Sequence, residues 1–364
     1  MLDEFCRISR YHRKYAIALL RRKDGDGGGG KRRRRGVTYS AEAMRVVEKV
    51  WRAAGYPWSQ RLKALLPLWL PWMRQDRSIS PSVEKQVLAI SARQMDRRLA
   101  SKKRSLKRRL YGRTKPGTLL RRQIPVKVGS WDVREPGYSE IDLVSHSGPS
   151  ASGEFVYSLN LTDLHLGWCE GRAILGRGEA GVVAALDEIR RALPFRLRAI
   201  DSDNGSEFIN HHLVAYCRRH GLQFTRGRPC KKDDNAHIEQ KNWTHVRRIF
   251  GWDRYDSPEA AAAMNELYGG DLRRMMNLFQ PSVKLVERCR TGSRLTRRYD
   301  TARTPLDRLV DFHKGRLLPD TVRQLVAWRH RTDPFELAAG IDRKLNGLER
   351  LRQLTGRRPE NPLT

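Results

Sequence analysis

Tyr138-Ser-Glu-Ile-Asp-Leu-Val-Ser-His146 is the stretch whose reading decides the fold. Its residues are β-rich, so it reads as a strand. Phe155 to Leu166 and Cys169 to Leu175 come next, with turns at Gly153 and Gly167. Three consecutive strands with short turns predict an antiparallel meander. Downstream the period changes repeatedly. Gly178 to Leu193 reads as a helix closed by Pro194, and Phe195 to Ser202 as a strand. Ser206 to His220 reads as a helix ended by Gly221, Leu222 to Arg228 as a strand, and Asn235 to Phe250 as a helix. The order β-β-β-α-β-α-β-α predicts a mixed sheet with helices packed on it.

Upstream of this region the chain is helical and basic. The protein has 364 residues, with 72 Lys plus Arg against 40 Asp plus Glu, a net charge of +32. Such an excess points to a polyanionic partner, because each Lys or Arg placed on a phosphate releases a condensed counterion. Arg supplies 55 of the 72 basic residues, which suits phosphates and guanine edges. The charge is concentrated. Residues 1–37 carry +8 and residues 91–127 carry +13, whereas basic and acidic residues nearly balance between Tyr138 and Asp256. Leu2 to Arg7 and Tyr11 to Arg22 have the size of a helix-turn-helix, with Arg13 and Lys14 at the exposed start of the second helix. Val83 to Ile90 and Arg93 to Leu99 form a second such pair, running into Arg97, Arg98, Lys102, Lys103, Arg104, Lys107 and Arg108. A recognition helix presents its N-terminal residues to base edges, so these are candidate DNA contacts. Ser40 and Ser80-Pro81 read as helix starts, and Leu62, Leu65, Leu66 and Trp69 as a buried stripe.

Several classes are excluded. The apolar run Leu65 to Met73 is nine residues broken by Pro67 and Pro71, whereas a spanning helix needs ~20. No signal peptide is evident. Five scattered cysteines (Cys6, Cys169, Cys217, Cys230, Cys289) without a CxxC fit reduced thiols in a cytoplasm. His212, Cys217 and His220 have the wrong spacing for a zinc finger and read as helix residues.

Three acids stand at informative places. Asp142 is in mid-strand, Asp203 lies just past a strand in Ile200-Asp-Ser-Asp-Asn-Gly-Ser-Glu-Phe208, and Glu239 lies in the first turn of a helix in Asp233-Asp-Asn-Ala-His-Ile-Glu-Gln-Lys-Asn-Trp243. Hard oxygen ligands suit Mg²⁺, and two ions ~4 Å apart can activate an attacking oxygen and stabilise a leaving one. Glu140, Asp201, Glu207, Asp233 and Asp234 compete for the same roles, and spacing alone does not choose among them.

With 35 residues between the last two, Asp142, Asp203 and Glu239 resemble the D,D(35)E signature of retroviral-integrase-like DDE transposases. Their surroundings resemble bacterial insertion-sequence transposases in particular. The resemblance covers residues 128 to 255 and extends weakly through Asn277 to Leu285 and Tyr299 to Pro305. It implies a ribonuclease-H-like fold, and transposition by DNA cleavage and strand transfer in a bacterial cytoplasm at the nucleoid. By it, Asp142 would bridge two Mg²⁺ (or Mn²⁺) ions, with Asp203 completing one site and Glu239 the other. Asn204, Gly205, His237, Gln240, Lys241 and Asn242 would line the edge or touch DNA. The implied partners are double-stranded DNA, as element ends and target, and further copies of the chain on it. The zinc-binding His-His-Cys-Cys set of retroviral integrases has no counterpart here. The first helix pair begins almost at Met1, which points to a truncated N-terminus.

The expected organisation is a partial helix-turn-helix and basic linker (1–37), a helical DNA-binding region (38–127), a ribonuclease-H-like catalytic core (128–255) and a C-terminal region (256–364). In the last, Ser257-Pro258 opens an alanine-rich helix interrupted at Gly269-Gly270, and Val283 to Tyr299 forms a basic hairpin. Thr304-Pro305 starts a helix, and the tail, with Pro319 and Pro334, reads as short helices and loops. Trp243 and Trp252 read as packing residues. The rival expectations are a DNA-binding regulator or inactive transposase remnant, against which the intact acids argue, and a ribonuclease H or resolvase, against which the spacing argues.

Overall fold

The computed structural model describes residues 2–20, 39–75, 79–105, 133–202, 211–226, 238, 241–291 and 294–355. Asp203, Glu239, Lys107 and Arg108 lie outside the described residues, as does the side chain of Arg104. The chain divides into two units, residues 1–40 and 41–364.

In the first unit, α1 (Leu2–Ser9) and α2 (Arg13–Leu20) form the expected helix pair. Ala16 is the only buried residue on these two helices, and Ile8, Tyr11, Tyr15 and Leu20 are exposed. Lys14 is exposed too, while Arg13 forms an ion pair with Asp3.

The second unit opens with α3 (Ala41–Ala53), α4 (Ser59–Gln75), α5 (Pro81–Ala89) and α6 (Ala92–Ser105). Leu62, Leu65, Leu66 and Trp69 are fully buried, as their helical spacing requires. Pro67 and Pro71 lie inside α4 rather than ending it. Being four residues apart, they remove two N–H donors from one side of the helix. Ser80 caps α5 by accepting from Val83 N at 3.4 Å, with Pro81 in the first turn.

The core sheet contains β1 (Tyr138–Ser145), β2 (Val156–Asp163), β3 (Cys169–Leu175), β4 (Ala199–Ser202) and β5 (Gln223–Arg226) in the order β3-β2-β1-β4-β5. β1–β2 and β2–β3 are antiparallel, while β4 pairs parallel with β1 and β5 parallel with β4. α7 (Glu179–Ala192) connects β3 to β4, and α8 (His211–Arg219) lies between β4 and β5. This antiparallel meander extended by two parallel strands is the ribonuclease-H-like fold. One face of the sheet is apolar: Ile141, Leu159, Leu161 and Ile200 pack with Val182, Leu186 and Ile189 of α7 and Leu213 of α8.

The opposite face is covered by later segments of the chain. Asn242–Arg247 is π-helical and runs into α9 (Arg248–Phe250), where the pattern predicts an uninterrupted α-helix. Then come α10 (Pro258–Gly269), α11 (Asp271–Arg274) and a second π-helical turn, Met275–Phe279. Ser257 caps α10, and the break at Gly270 is where Gly269-Gly270 predicts it. Asn265 and Asn277 reach the outer strand: their side-chain amides bond N–H and C=O of Ala173 and of Cys169, all at 2.7–2.9 Å.

The basic hairpin is formed by β6 (Leu285–Thr291) and β7 (Arg294–Tyr299). α12 (Pro305–Phe312) starts at a Thr304/Asp307 capping box, followed by α13 (Asp320–Arg331) and α14 (Pro334–Thr355). At 22 residues α14 is no short helix. Pro334 lies at its first position, where its missing N–H removes no bond.

Candidate functional site

The β1 face turned away from the apolar core carries Glu140 and Asp142. Register brings Thr162 and Asn160 of β2 beside them, Asp201 of β4 beside Glu140, and Thr225 of β5 beside Asp201. A polar face inside a covered sheet is tolerated only if its groups satisfy one another. They do so unequally. Glu140 is 1 % exposed, and its Oε2 accepts from Ile238 N at 2.9 Å. Asp201 is 0 % exposed, and its Oδ1 accepts from Thr225 Oγ1 at 2.6 Å. Asp142 is half-buried.

Asp142 is held from two sides. Its Oδ1 accepts from Leu143 N at 2.8 Å and its Oδ2 from Asn242 Nδ2 at 2.6 Å. Asn242 Oδ1 in turn accepts from Asn160 Nδ2 at 2.8 Å, and Asn160 is the register partner of Asp142 across β1–β2. Asn242 therefore ties the covering helix to two adjacent strands. It opens the π-helical segment, and π-turns recur at functional sites because the extra residue re-aims the side chains beyond it. Ile238 and Asn242 flank Glu239, and both are anchored on β1, one at Glu140 and the other at Asp142.

Among the described residues Asp142 supplies one oriented, half-buried carboxylate, an oxygen ligand of the kind a hard divalent cation takes, while Glu140 and Asp201 are closed off. Among the described residues no three His, Cys, Asp or Glu side chains form a metal-like group. Asp203 lies one residue past the end of β4, whose last residue, Ser202, pairs with Ile141.

The basic candidates divide. Arg97 and Arg98 are exposed on α6. Lys102 pairs with Glu48, and Lys103 with Asp96 at 2.6 Å. Lys241 turns inward, its Nζ donating to Gly167 O at 3.3 Å. Trp252 lies under the Arg247 guanidinium, 4.1 Å from the ring centroid. Trp243, expected to pack, is instead 42 % exposed, beside Asn242.

A buried polar chain supports the same face. Tyr268 Oη donates to Ser158 Oγ at 2.7 Å, and Ser158 meets His146 Nε2 at 2.8 Å. Burial, with the Arg247 charge beside it, pushes the His146 imidazole down to about 3. In the unfolded chain a histidine takes its proton near pH 6.5. Between these values the unfolded state binds more protons, so this group's contribution is present above pH 6.5 and lost as pH falls toward 3. The slope is about 1.4 kcal/mol per pH unit. His146→Gln should remove that slope from urea-unfolding free energies compared between pH 7 and pH 5. An identical pH dependence in the variant would reject the assignment.

No helix among the described residues is long and apolar enough to cross a membrane. The model of the integrase core domain family matches residues 132–232. A protein of Sinorhizobium fredii, described as "Uncharacterized protein y4rM", is 39% identical over 315 residues, covering 85% of this chain and 88% of its own length. Two solved structures align with a TM-score of 0.30 each. One is the HTLV-2 integrase catalytic core domain in complex with magnesium, in dimeric form, at 10% identity over 40% of this chain and 90% of its own. The other is the catalytic core domain of BIV integrase, at 14% identity over 48% of this chain and 94% of its own. The strand order, rather than these alignments, carries the fold assignment.

Proposed function

We propose, for a chain that belongs to one family with the y4rM protein and carries an integrase core domain, that it is a DNA transposase cutting phosphodiesters and joining the freed ends to target DNA. The observation that carries this reading is the hold of Asn242 on Asp142, which ties the Asn242–Arg247 segment to the central strand. Asp142, Asp203 and Glu239 would hold the divalent ions, Mg²⁺ or Mn²⁺, which supply Lewis-acid polarisation of phosphate oxygens and a reactive water or hydroxyl. The protein's own part is orientation. Leu143 N and Asn242 Nδ2 fix the Asp142 carboxylate, so little reorganisation is left for the reacting state.

The basic regions would hold the element ends, with Arg97 and Arg98 on α6 as exposed phosphate contacts, in an assembly of more than one copy on DNA. The test is incubation of the full chain with Mg²⁺ and a labelled duplex carrying the ends of its element, followed for 3′-end nicking and joined products. Binding without cutting in either Mg²⁺ or Mn²⁺ would favour a regulator that only occupies sites.

Asn242→Ala should lower nicking about 10- to 100-fold while leaving DNA affinity unchanged, the usual range for groups that orient a ligand. Asn242→Asp should be worse, because a second carboxylate 2.6 Å from Asp142 Oδ2 repels it. Nicking by Asn242→Ala at the parental rate, over a range of Mg²⁺ concentrations, would remove Asn242 from the site.

A further inference from the structure

A cavity of about 240 Å³ lies where the α3–α4 turn, the Asn242–Arg247 segment and α14 meet, away from Asp142. Leu272, Met275 and Ile341 give it an apolar wall, and Arg61 and Arg248 line it. A pocket of about 40 Å³ shares Arg61, Thr244 and His245 with it and is lined also by Lys241.

The cations here have no matching acid among the described residues. Half-buried Arg61 donates from Nε to Pro281 O at 2.6 Å and makes no ion pair. Arg248 donates to the carbonyls of Gly55 and Tyr56, and Lys241 to that of Gly167. Asp342 stands exposed at the rim and pairs with neither arginine. In the smaller pocket, Asp163 accepts from the N–H groups of Gly137 and Leu166. Burial and the nearby Arg248 charge pull Arg61 down to about 10. His245 is lowered by burial first and by the Lys241 and Arg61 charges after it. Half-buried Arg61 and exposed Arg248 thus face one open space, and the desolvation of Arg61 costs free energy until an anion enters.

We propose that this cavity binds a small phosphomonoester with an apolar body, its phosphoryl group between Arg61 and Arg248 and its body against Leu272, Met275 and Ile341. A phosphomonoester carries a charge of about −1.5 to −2 at neutral pH, which matches two guanidinium forks better than a carboxylate does. An apolar cavity of about 150 Å³ holds a benzene ring, so this one has room for a ring and a phosphoryl group. Thr244, His245 and Arg248 come after Asn242 on one continuous segment. An occupant would therefore brace the segment that orients Asp142.

The test is titration calorimetry of the full chain with phenyl phosphate at constant ionic strength. One saturable site with a Kd below about 1 mM is expected, together with weaker binding of inorganic phosphate, which lacks the body. Arg61→Gln and Arg248→Gln should each weaken binding about tenfold or more, the size of a lost charge-assisted hydrogen bond. Leu345 also lines the cavity, and Leu345→Trp, which fills it and leaves both arginines in place, should abolish binding in a protein that melts like the parent. Absence of saturable heat, or binding unchanged in Arg61→Gln and Leu345→Trp, overturns the proposal. So does displacement of phenyl phosphate by a short duplex, which would assign the cations to DNA backbone. The outcome does not depend on whether the protein cuts DNA.

Discussion

Asp142→Asn is expected to lose nicking and joining by at least about a thousandfold while binding element-end DNA with parental affinity. Metal polarisation of a phosphoryl oxygen contributes several kcal/mol, and about 4 kcal/mol corresponds to a thousandfold. The substitution removes the charge and keeps the shape. The carbonyl of the new side-chain amide can still accept from Leu143 N, and the amides of Asn242 and Asn160 can rotate to present an acceptor to its N–H₂. Stability should therefore change little, which separates a chemical loss from a folding loss. Denaturant melts, fluorescence anisotropy on the duplex and the nicking assay together make the test. Nicking by Asp142→Asn at more than a few per cent of the parental rate would mean that the reacting group lies elsewhere. Glu140→Gln is the contrasting variant. Its carboxylate accepts from Ile238 N in a fully buried position, so its change should act through stability.

Gly171→Ala carries the second large effect. A Cβ built at Gly171 falls 2.4 and 2.5 Å from Cδ1 and Cε1 of Tyr268. The ring cannot retreat easily: Tyr268 is 4 % exposed, bonds Ser158 through its hydroxyl and packs on Phe250 at 5.2 Å between centroids. Overpacking of this kind costs about 3 kcal/mol. In a unit of this size that lowers Tm by on the order of 10 °C. Tyr268→Leu in the same chain should recover part of the loss, giving a coupling free energy of opposite sign to the single changes. A Gly171→Ala protein melting within about 1 °C of the parent, well inside that expected shift, would show that the two elements are not packed this closely.

Both predictions depend on parts of the molecule that a linear reading captures unequally. The β-rich residues of Tyr138 to His146 suffice for β1, because strand propensity is local. Ser80-Pro81, Ser257-Pro258 and Thr304-Pro305 mark helix starts, because capping involves only neighbours in sequence. The difference between Asp142 and Glu140 is not open to spacing. Both share one face, and what distinguishes them is which is sealed by Ile238 N, 98 residues away. The π-turn and the aim of Asn242 are illegible for the same reason, since propensity does not encode an inserted residue that tertiary contacts hold in place. Trp243 reads as a core residue from its type alone, and type does not say which side of a helix is covered. The 22-residue α14 escapes the pattern because Pro334 resembles a breaker and acts as a start.

The amides of Asn265 and Asn277 have a bearing on how copies of this chain can meet. Each pairs with both backbone groups of one β3 residue, as a further strand would. A bare outer strand invites a strand of a neighbouring molecule, and the two copies then share one continuous sheet. With that rim stoppered from within its own chain, a second copy finds the backbone of Cys169 and Ala173 already taken and cannot extend the sheet there.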